Sequence, residues 1–461
     1  MCQRKVPARY FIVLGCCSCL TMSYIMRCSL SLRTTDVRKH QESICPRKAG
    51  EKHTMDRAVF KMTPRQRGLM HGAFYWGYFV TCMIGGVLSD IFNKKFFMLG
   101  GIFGTCIVTC FTPVLSRTFE WLGLIVCRLT MGLTEGIFYA SLIAIAAAWI
   151  PPKERSSLGS ILFAASPFGV AISHLLEILM RDIKLDWENE FYIYSGIGFL
   201  VVIVIYSTLK FYPKHLTEDG GKFYDDYHAP MEKEKHYRNV PLKAILHNIH
   251  VWAVVCASFG HDWNFFMITS FEPTYLHSVL PSDYFRSELI MFIALLCMWS
   301  GAIISGFICD NVQKRKLISL TWNRKITYFT GSTISAACSI AIVYLKCNEV
   351  WLITFAVISS IAKGFFYSSV KINPLDLNPT YAATISSVAQ MGVCSAGVLV
   401  PYAYSSVIKT GSMEEWRILQ LMTSVIVFLG GVTYFTFATA EEQTLGVIHH
   451  DLQHGRAMAI A

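Results

Sequence analysis

Long stretches of the sequence carry almost no charge, and this feature limits the possible folds more than any other. A helix that crosses the ~30 Å core of a bilayer at 1.5 Å per residue needs about 20 apolar residues in succession. About twelve such blocks occur in the 461 residues, whereas soluble helical proteins seldom contain two. We therefore predict an all-α membrane protein with twelve transmembrane helices. The blocks lie at roughly 10–32, 68–91, 96–115, 120–150, 156–180, 191–212, 248–276, 288–309, 326–346, 350–372, 381–408 and 417–440.

The composition agrees with a membrane protein and argues against several soluble classes. Hydrophobic residues make up 53% of the chain and charged residues 16%, whereas a soluble globular chain carries about 25% charged residues. The formal net charge of +10 comes mostly from loops, where Lys and Arg help to set topology, so we expect no nucleic-acid partner. The 16 cysteines show no metal-ligand spacing and no secreted disulfide framework. No motif typical of an enzyme or a bound metal occurs.

A charged segment at residues 213–247 divides the blocks into two sets of six. The second block ends in GGVLSDIFNKK and the eighth in SGFICDNVQKRK. Both contain Gly, any residue, an aliphatic residue, any residue and Asp, and the copies Gly86–Asp90 and Gly306–Asp310 are 220 residues apart (306 − 86). Duplicated helical units are typical of secondary transporters. We predict an N-terminal bundle at 1–212, a cytoplasmic linker at 213–247, a C-terminal bundle at 248–440 and a cytoplasmic tail at 441–461.

The basic residues of the short loops predict that both termini lie in the cytoplasm. In that orientation Lys94, Lys95 and the cluster 314–316 fall inside, as the positive-inside rule requires. The long loop 33–67 is also basic and would lie outside, but long loops influence orientation less than short ones.

Two charged residues, Arg128 and Glu135, lie seven residues apart inside the fourth block. At 100° per residue they return to within about 20° of one direction and share one helix face. A charge at the bilayer centre costs about 2.5–3.5 kcal/mol on insertion scales, so we predict that this face points into the bundle. A structural ion pair is the alternative to a functional role. Arg27 and His71 lie near the same end and would line an outward-opening cavity with Arg128, above Glu135.

These side chains suit the transport of an anion together with a proton. A guanidinium group offers a planar fork of donors to carboxylate or phosphate and stays charged, so Arg27 and Arg128 are candidate substrate-binding residues. His71 joins them because histidine changes charge near neutral pH and could sense an acidic lumen. A place at the lipid interface or in a helix contact is an equal alternative. A carboxyl group removed from water holds a proton more readily, which makes Glu135 the candidate for proton coupling.

Several stretches resemble the anion–cation symporter family of the major facilitator superfamily, which includes sialin, the vesicular glutamate transporters and the sodium–phosphate cotransporters. The two Gly-x-aliphatic-x-Asp loops resemble the superfamily signature. The stretches typical of the family are HGAFYWGYFVTCMIGGVLSD, RLTMGLTEG, WIPPKERSSL, NFFMITSFEPTYL and NPLDLNPTYAATI. The resemblance implies the twelve-helix major facilitator fold and alternating access. It also ties Arg27, His71, Arg128 and Glu135 to substrate binding and proton coupling.

Four positions depart from the family pattern and leave the substrate open. Asn93 replaces a glycine of the loop motif, and Ala140 a proline. His261 stands where the vesicular glutamate transporters have an arginine, and Lys363 where a small residue is common. His261 and Lys363 are possible substrate contacts of the second half. The alternative for His261 is a helix contact. For Lys363 the favoured interpretation is that its side chain extends to the outer surface.

Charged residues near the cytoplasmic ends of the helices are predicted to hold one conformation closed. This gating set is Asp90, Lys95, Glu154, Arg155 and Asp310. Asn373 and Asp376 lie in a family motif nearby, and we expect them to pack a loop.

The sequence therefore predicts a monomeric secondary transporter without a cofactor. It would move an organic anion, such as an acidic sugar or another carboxylate, with protons, in a lysosomal, vesicular or plasma membrane. One alternative is a sodium-dependent phosphate or anion cotransporter. The other is a transporter-like membrane receptor or scaffold that does not transport, and saturable flux would discriminate against it.

Overall fold

The computed structural model describes residues 8–34, 64–208, 240–279, 284–345 and 348–443. Most of the predicted linker 213–247 and of the tail 441–461 lies outside these ranges, so the domain boundaries stay a prediction.

The described residues form helices and no strands, in two consecutive sets. The first set is α1 (Ala8–Thr34), α2 (Pro64–Ile91), α3 (Lys94–Trp149), α4 (Arg155–Phe163), α5 (Ala165–Asp182) and α6 (Trp187–Thr208). The second set is α7 (Leu242–His247), α8 (Ile249–Val279), α9 (Tyr284–Lys314), α10 (Leu320–Tyr344), α11 (Glu349–Gly364), α12 (Asn373–Leu377), α13 (Ala382–Val407) and α14 (Met413–Phe437).

These helices cross a membrane twelve times, as the apolar blocks predict. Ten helical segments in the described ranges are long and apolar enough to span a bilayer. One of them, α3, has 56 residues and reverses at Glu120, whose φ of 49° interrupts the helix, so its legs 94–119 and 121–149 each cross. The twelfth crossing is α8, which is 31 residues long but carries polar residues at its centre. The predicted fold class is confirmed, and the protein is a multi-pass membrane protein.

Two predicted spans differ from the structure in their continuity. The span at 156–180 is two helices, α4 and α5, which join at Ala164. The span at 350–372 is wrong in its second part, because α11 ends at Gly364 and residues 365–372 form turns. In these turns the N–H groups of Phe365 and Phe366 bond to carbonyls three residues back. Hydropathy did not reveal this break because the turn segment remains largely apolar.

The two halves contact each other through two groups of helices. Helix α2 packs against α13, and α9 packs against α4 and α5. We call the end of the molecule where α2 and α9 finish the motif end, because it carries Asp90 and Asp310. The other end, which carries Glu120, is the opposite end.

The two motif glycines allow the halves to approach closely near the motif end. A Cβ atom on Gly86 would lie 2.3 Å from Oγ of Ser387 in the other half. A Cβ atom on Gly306 would lie 2.8 Å from the backbone oxygen of Ser156. Because a backbone atom cannot rotate away, any larger residue at position 306 must separate α9 from α4.

Gly306→Ala is therefore expected to loosen the contact between the halves at the motif end. Overpacking of this kind costs about 1–3 kcal/mol, so hydrogen exchange of residues 155–163 should rise by roughly tenfold. The control is Gly100→Ala, where an added methyl group meets no atom within 4 Å. Equal exchange in the two variants would contradict the close contact.

Candidate substrate-binding site

A cavity between the two halves opens partly towards the opposite end. The first half lines it with Tyr24, Arg27, Cys28, His71, Phe74, Tyr75 and Arg128, and the second half with Phe265, Phe266, Thr269, Ser270, Gly397, Val400 and Pro401. The positive charge lies on the first half, whereas the second half contributes rings, hydroxyl groups and small residues. The structure thus brings together Arg27, His71 and Arg128 from three different helices.

Arg128 is the most deeply enclosed cation of this cavity. It lies on the leg 121–149 of α3 with an exposure of 3%. Its Nη1 donates a 2.7 Å hydrogen bond to the backbone carbonyl of Arg27. Its Nε and Nη2 atoms have no hydrogen-bond partner among the described residues. Unsatisfied donors on a buried guanidinium are costly, and an anion in the cavity would satisfy them.

Arg27 lies on α1 within a group of aromatic rings. Its guanidinium carbon is 3.9 Å from the ring centre of Phe74 and 5.0 Å from that of Tyr24. The rings of Tyr75 and Tyr78 are within 5.9 Å. Aromatic faces attract cations, so these rings hold the guanidinium in place without neutralising its charge.

Glu135 lies two helical turns below Arg128 and is 2% exposed. Its Oε2 is 4.0 Å from Nη1 of Arg27, and its Oε1 has no hydrogen-bond partner among the described residues. The carboxylate therefore faces Arg27 on another helix rather than Arg128 on its own. This position places one acidic group directly beneath two arginines.

The predicted contacts of the second half lie deeper than this cavity. The ring of His261 stacks on that of Phe366 with centres 3.7 Å apart, and its Nε2 atom has no partner in the described structure. Lys363 is 9% exposed and interacts electrostatically with Glu272. The favoured interpretation, in which Lys363 extends to the outer surface, is wrong. Lys363 lies about 21 Å along α11 from Glu349 and is enclosed by the bundle.

Two carboxylates at the motif end accept hydrogen bonds from the N-terminal residues of helices in the other half. Asp90 accepts hydrogen bonds from the N–H group and the hydroxyl of Thr384, at 2.9 and 2.7 Å. Asp310 accepts from the N–H groups of Ser156 and Ser157, at 3.1 and 2.8 Å. Carboxylates stabilise helix N-termini through such bonds and through the helix dipole. The repeated motif thus makes the same contact twice. Asp90 of the first half binds a helix of the second half, and Asp310 of the second half binds a helix of the first.

A buried cluster of charges, centred on Asp376, closes the same end. Asp376 accepts from Arg155 of the first half at 2.9 Å and from Arg324 of the second at 2.8 Å. Arg324 also donates to Oγ of Ser156 at 2.8 Å. The interpretation of Asp376 as a loop-packing residue is wrong, because its carboxylate connects the two halves.

The other two residues of the predicted gating set contact their own half. Lys95 donates to the backbone carbonyl of Tyr206 at 3.2 Å. Glu154 accepts from Arg9 at 3.2 Å. Of the five residues, the contacts of Asp90, Arg155 and Asp310 bridge the halves directly.

Sequence reasoning missed a second buried pair between the halves, nearer the opposite end. Nδ1 of His174 on α5 lies 2.5 Å from Oε2 of Glu288 on α9, and these residues are 1% and 2% exposed. Both residues fall in apolar blocks, where an ionisable side chain is conspicuous. The sequence contains no signal that the two groups pair.

A cavity lined by arginines between two halves that each cross the membrane six times, with hydrogen-bonded contacts that close one end, defines a secondary membrane transporter. The chain belongs to the Major Facilitator Superfamily, whose sequence model matches residues 53–401. It is 27% identical to sialin of Ovis aries over 411 residues, which cover 86% of this chain and 80% of sialin. It is 26% identical to vesicular glutamate transporter 1 of Bos taurus over 445 residues, which cover 95% of this chain and 78% of that protein. The resemblance seen in the sequence is confirmed, and the protein is a transporter homologue rather than an enzyme.

A solved structure shares the fold. It is a bacterial homologue of the human lysosomal transporter Spinster, in an inward-facing and unoccupied conformation. It superposes with a TM-score of 0.63 at 16% identity, covering 94% of this chain and 97% of that one.

Proposed function

We propose that the protein carries an organic anion, a carboxylate such as an acidic sugar, across the membrane together with protons. The observation that carries the proposal is the pair of unpartnered donors on buried Arg128, beside Arg27 and above Glu135. A planar guanidinium matches the geometry of a carboxylate and binds it through two hydrogen bonds. The names of the relatives, sialin and vesicular glutamate transporter, support an organic anion.

The position of Arg27 suggests how proton and anion movements are linked. Arg27 is the cation nearest to Glu135, at 4.0 Å, and it also lines the cavity that the anion enters. An anion that binds Arg27 competes with Glu135 for the same positive charge. Glu135 would then take up a proton, because an isolated carboxylate in a buried site is costly. Anion and proton would therefore enter together.

Alternating access completes the cycle. In the described conformation the contacts of Asp90, Asp310 and Asp376 close the motif end, while the cavity opens partly at the opposite end. Binding would favour a state in which the opposite end closes and these contacts break, so that the anion leaves at the motif end. We propose that the motif end is cytoplasmic and that the protein acts as a monomer in a lysosomal or vesicular membrane, with the plasma membrane as the alternative.

Uptake into liposomes tests this function directly. Purified protein would be reconstituted, and uptake of labelled sialic acid, glutamate and phosphate followed under an imposed proton gradient, with and without sodium. We expect saturable uptake of an organic anion that disappears when the proton gradient is collapsed. Uptake that needs sodium and ignores protons would favour the phosphate or anion cotransporter instead. The absence of saturable flux for all three would favour a receptor or scaffold.

Glu135→Gln separates proton coupling from anion binding. We expect acceleration of uptake by the proton gradient to fall at least about tenfold, because the amide cannot titrate. Exchange of labelled for unlabelled anion should remain within about threefold, because Arg27 and Arg128 are intact. The control is Glu188→Gln, which removes a carboxylate paired with Arg117 at the opposite end. Gradient-driven accumulation in Glu135→Gln would exclude Glu135 as the coupling group.

A further inference from the structure

The break in the second half after α11 places a segment of turns between the two halves. Residues 365–372 are turns rather than helix, and in secondary transporters interrupted helices commonly form the substrate site. The segment faces the first half, because Tyr367 accepts a 3.4 Å hydrogen bond from Ser166 of α5. A cation on this segment would reach the space through which the anion moves.

Lys371 is that cation, and its side chain extends across to the first half. Its Nζ lies 4.8 Å from the ring centre of Tyr139 on α3 and 5.7 Å from that of Phe366. Lys371 is partly exposed, whereas its neighbours Val370 and Ile372 are fully buried. Its contacts among the described residues are with aromatic faces rather than with a carboxylate within ion-pair distance.

Buried polar atoms without partners surround the same region. Oδ2 of Asp262, Nε2 of His261 and Oε1 of Gln390 have no hydrogen-bond partner in the described structure. These three residues are 8%, 5% and 3% exposed. Each unsatisfied polar atom destabilises a closed protein interior. A polar ligand at this level would supply the missing partners.

Lys371 and the arginine site above it share two neighbours, Tyr24 and Asp262. The ring of Tyr24 lies 5.0 Å from the guanidinium of Arg27, and its hydroxyl interacts electrostatically with Lys371 too. Asp262 interacts with both Lys371 and Arg27. Tyr24 and Asp262 therefore lie within the electrostatic reach of both cationic groups.

We propose that Lys371 forms a second subsite, which binds the oxygen-rich end of an anion whose carboxylate lies at Arg27 and Arg128. This inference rests on the proposed function and specifies its substrate class. The subsite selects carboxylates that carry hydroxyl groups or a second acidic group at the far end, as sugar acids do. Short monocarboxylates and inorganic phosphate cannot occupy both subsites. The lysine also supplies a cation in the half where His261 replaces an arginine.

Comparison of two anions tests the subsite. Stabilisation of the purified protein against heat would be titrated with glucuronate, which has a hydroxylated far end, and with acetate, which has none. A hydrogen bond to a charged group changes affinity by roughly tenfold or more, so wild-type protein should half-saturate at a glucuronate concentration at least about tenfold below that of acetate. In Lys371→Met the ratio of the acetate to the glucuronate half-saturation concentration should fall to about two, with the value for acetate unchanged.

Two further variants separate a subsite from a merely structural lysine. Lys325→Met is the control, because Lys325 also lies over a ring, that of Trp322, and donates to the backbone of Thr436 away from the cavity. It should keep the wild-type ratio, and Lys371→Arg should keep it within about threefold. If Lys371→Met is unstable, Lys371→Gln serves the same comparison. An unchanged ratio, or an equal loss for both anions, would overturn the subsite.

The result also distinguishes the subsite from the transport proposal. If the ratio depends on Lys371 but no proton gradient drives glucuronate uptake, the proposed coupling fails and the subsite stands. If neither anion stabilises the wild-type protein, the subsite is overturned as well.

Discussion

Arg128→Ala is expected to abolish anion uptake while the protein remains folded in the membrane. The variant removes the two unpartnered donors, Nε and Nη2, that the cavity offers to a carboxylate. Hydrogen bonds to charged groups contribute about 1.5–3 kcal/mol each, so the loss of two should lower the initial rate at low substrate by about 100-fold or more. The measurement is uptake of labelled anion into liposomes, normalised to the amount of reconstituted protein.

The fold should tolerate this change because Arg128 supports little else in the described structure. Its one direct hydrogen bond goes to the backbone carbonyl of Arg27, and Glu135 retains Arg27 as its nearest cation. Arg117→Ala is the matched control, since Arg117 pairs with Glu188 at the surface and should leave uptake within about twofold. Uptake by Arg128→Ala near the wild-type rate would place the anion site elsewhere.

Asp376→Asn is expected to open the motif end. The substitution leaves Arg155 and Arg324 without the carboxylate that both bind, and removal of one partner from a buried ion pair costs about 3–5 kcal/mol. The substitution therefore destabilises the conformation in which the two halves meet at Asp376. Hydrogen exchange of residues 373–384 should therefore increase by about 100-fold or more, and coupled uptake should fall steeply.

The surface pair of Glu414 and Arg417 provides the matched control. Glu414→Gln removes a carboxylate of 75% exposure from a pair within α14, and such pairs contribute at most about 1 kcal/mol. Its exchange and uptake should resemble those of the wild type. If Asp376→Asn shows the same exchange as this control, the carboxylate does not hold the motif end closed.

The number and type of helices could be predicted because a bilayer leaves few alternatives. A backbone in lipid must satisfy its own hydrogen bonds, so each long apolar block has to be a helix. The break at residues 365–372 could not be predicted from hydropathy, because those residues remain largely apolar. N–H groups of these residues bond to carbonyls of the same turns and of the end of α11. The carbonyl of Ser368 also accepts a hydrogen bond from Arg324, a tertiary contact that hydropathy does not reveal.

The candidate site was predictable only where a charge interrupts an apolar block. This reason makes Arg128 and Glu135 conspicuous, and it applies as well to Arg27 and His71 in the first two blocks. Arg324 resembles an ordinary loop cation in sequence, although it is fully buried. The pairing of His174 with Glu288 depends on packing between residues more than 100 positions apart. A single sequence identifies a charge, but the partner depends on how the two halves meet.

The aromatic rings around Arg27 also affect which anions can leave water to enter the cavity. A guanidinium group is more weakly hydrated than an ammonium group, and the rings of Phe74 and Tyr24 displace further water from its faces. Little hydration energy is then available to offset the dehydration of a compact, highly charged ion. Anions that lose their hydration water at low energetic cost should therefore enter the cavity most readily. A carboxylate on a large organic molecule should be favoured over phosphate before any specific contact forms.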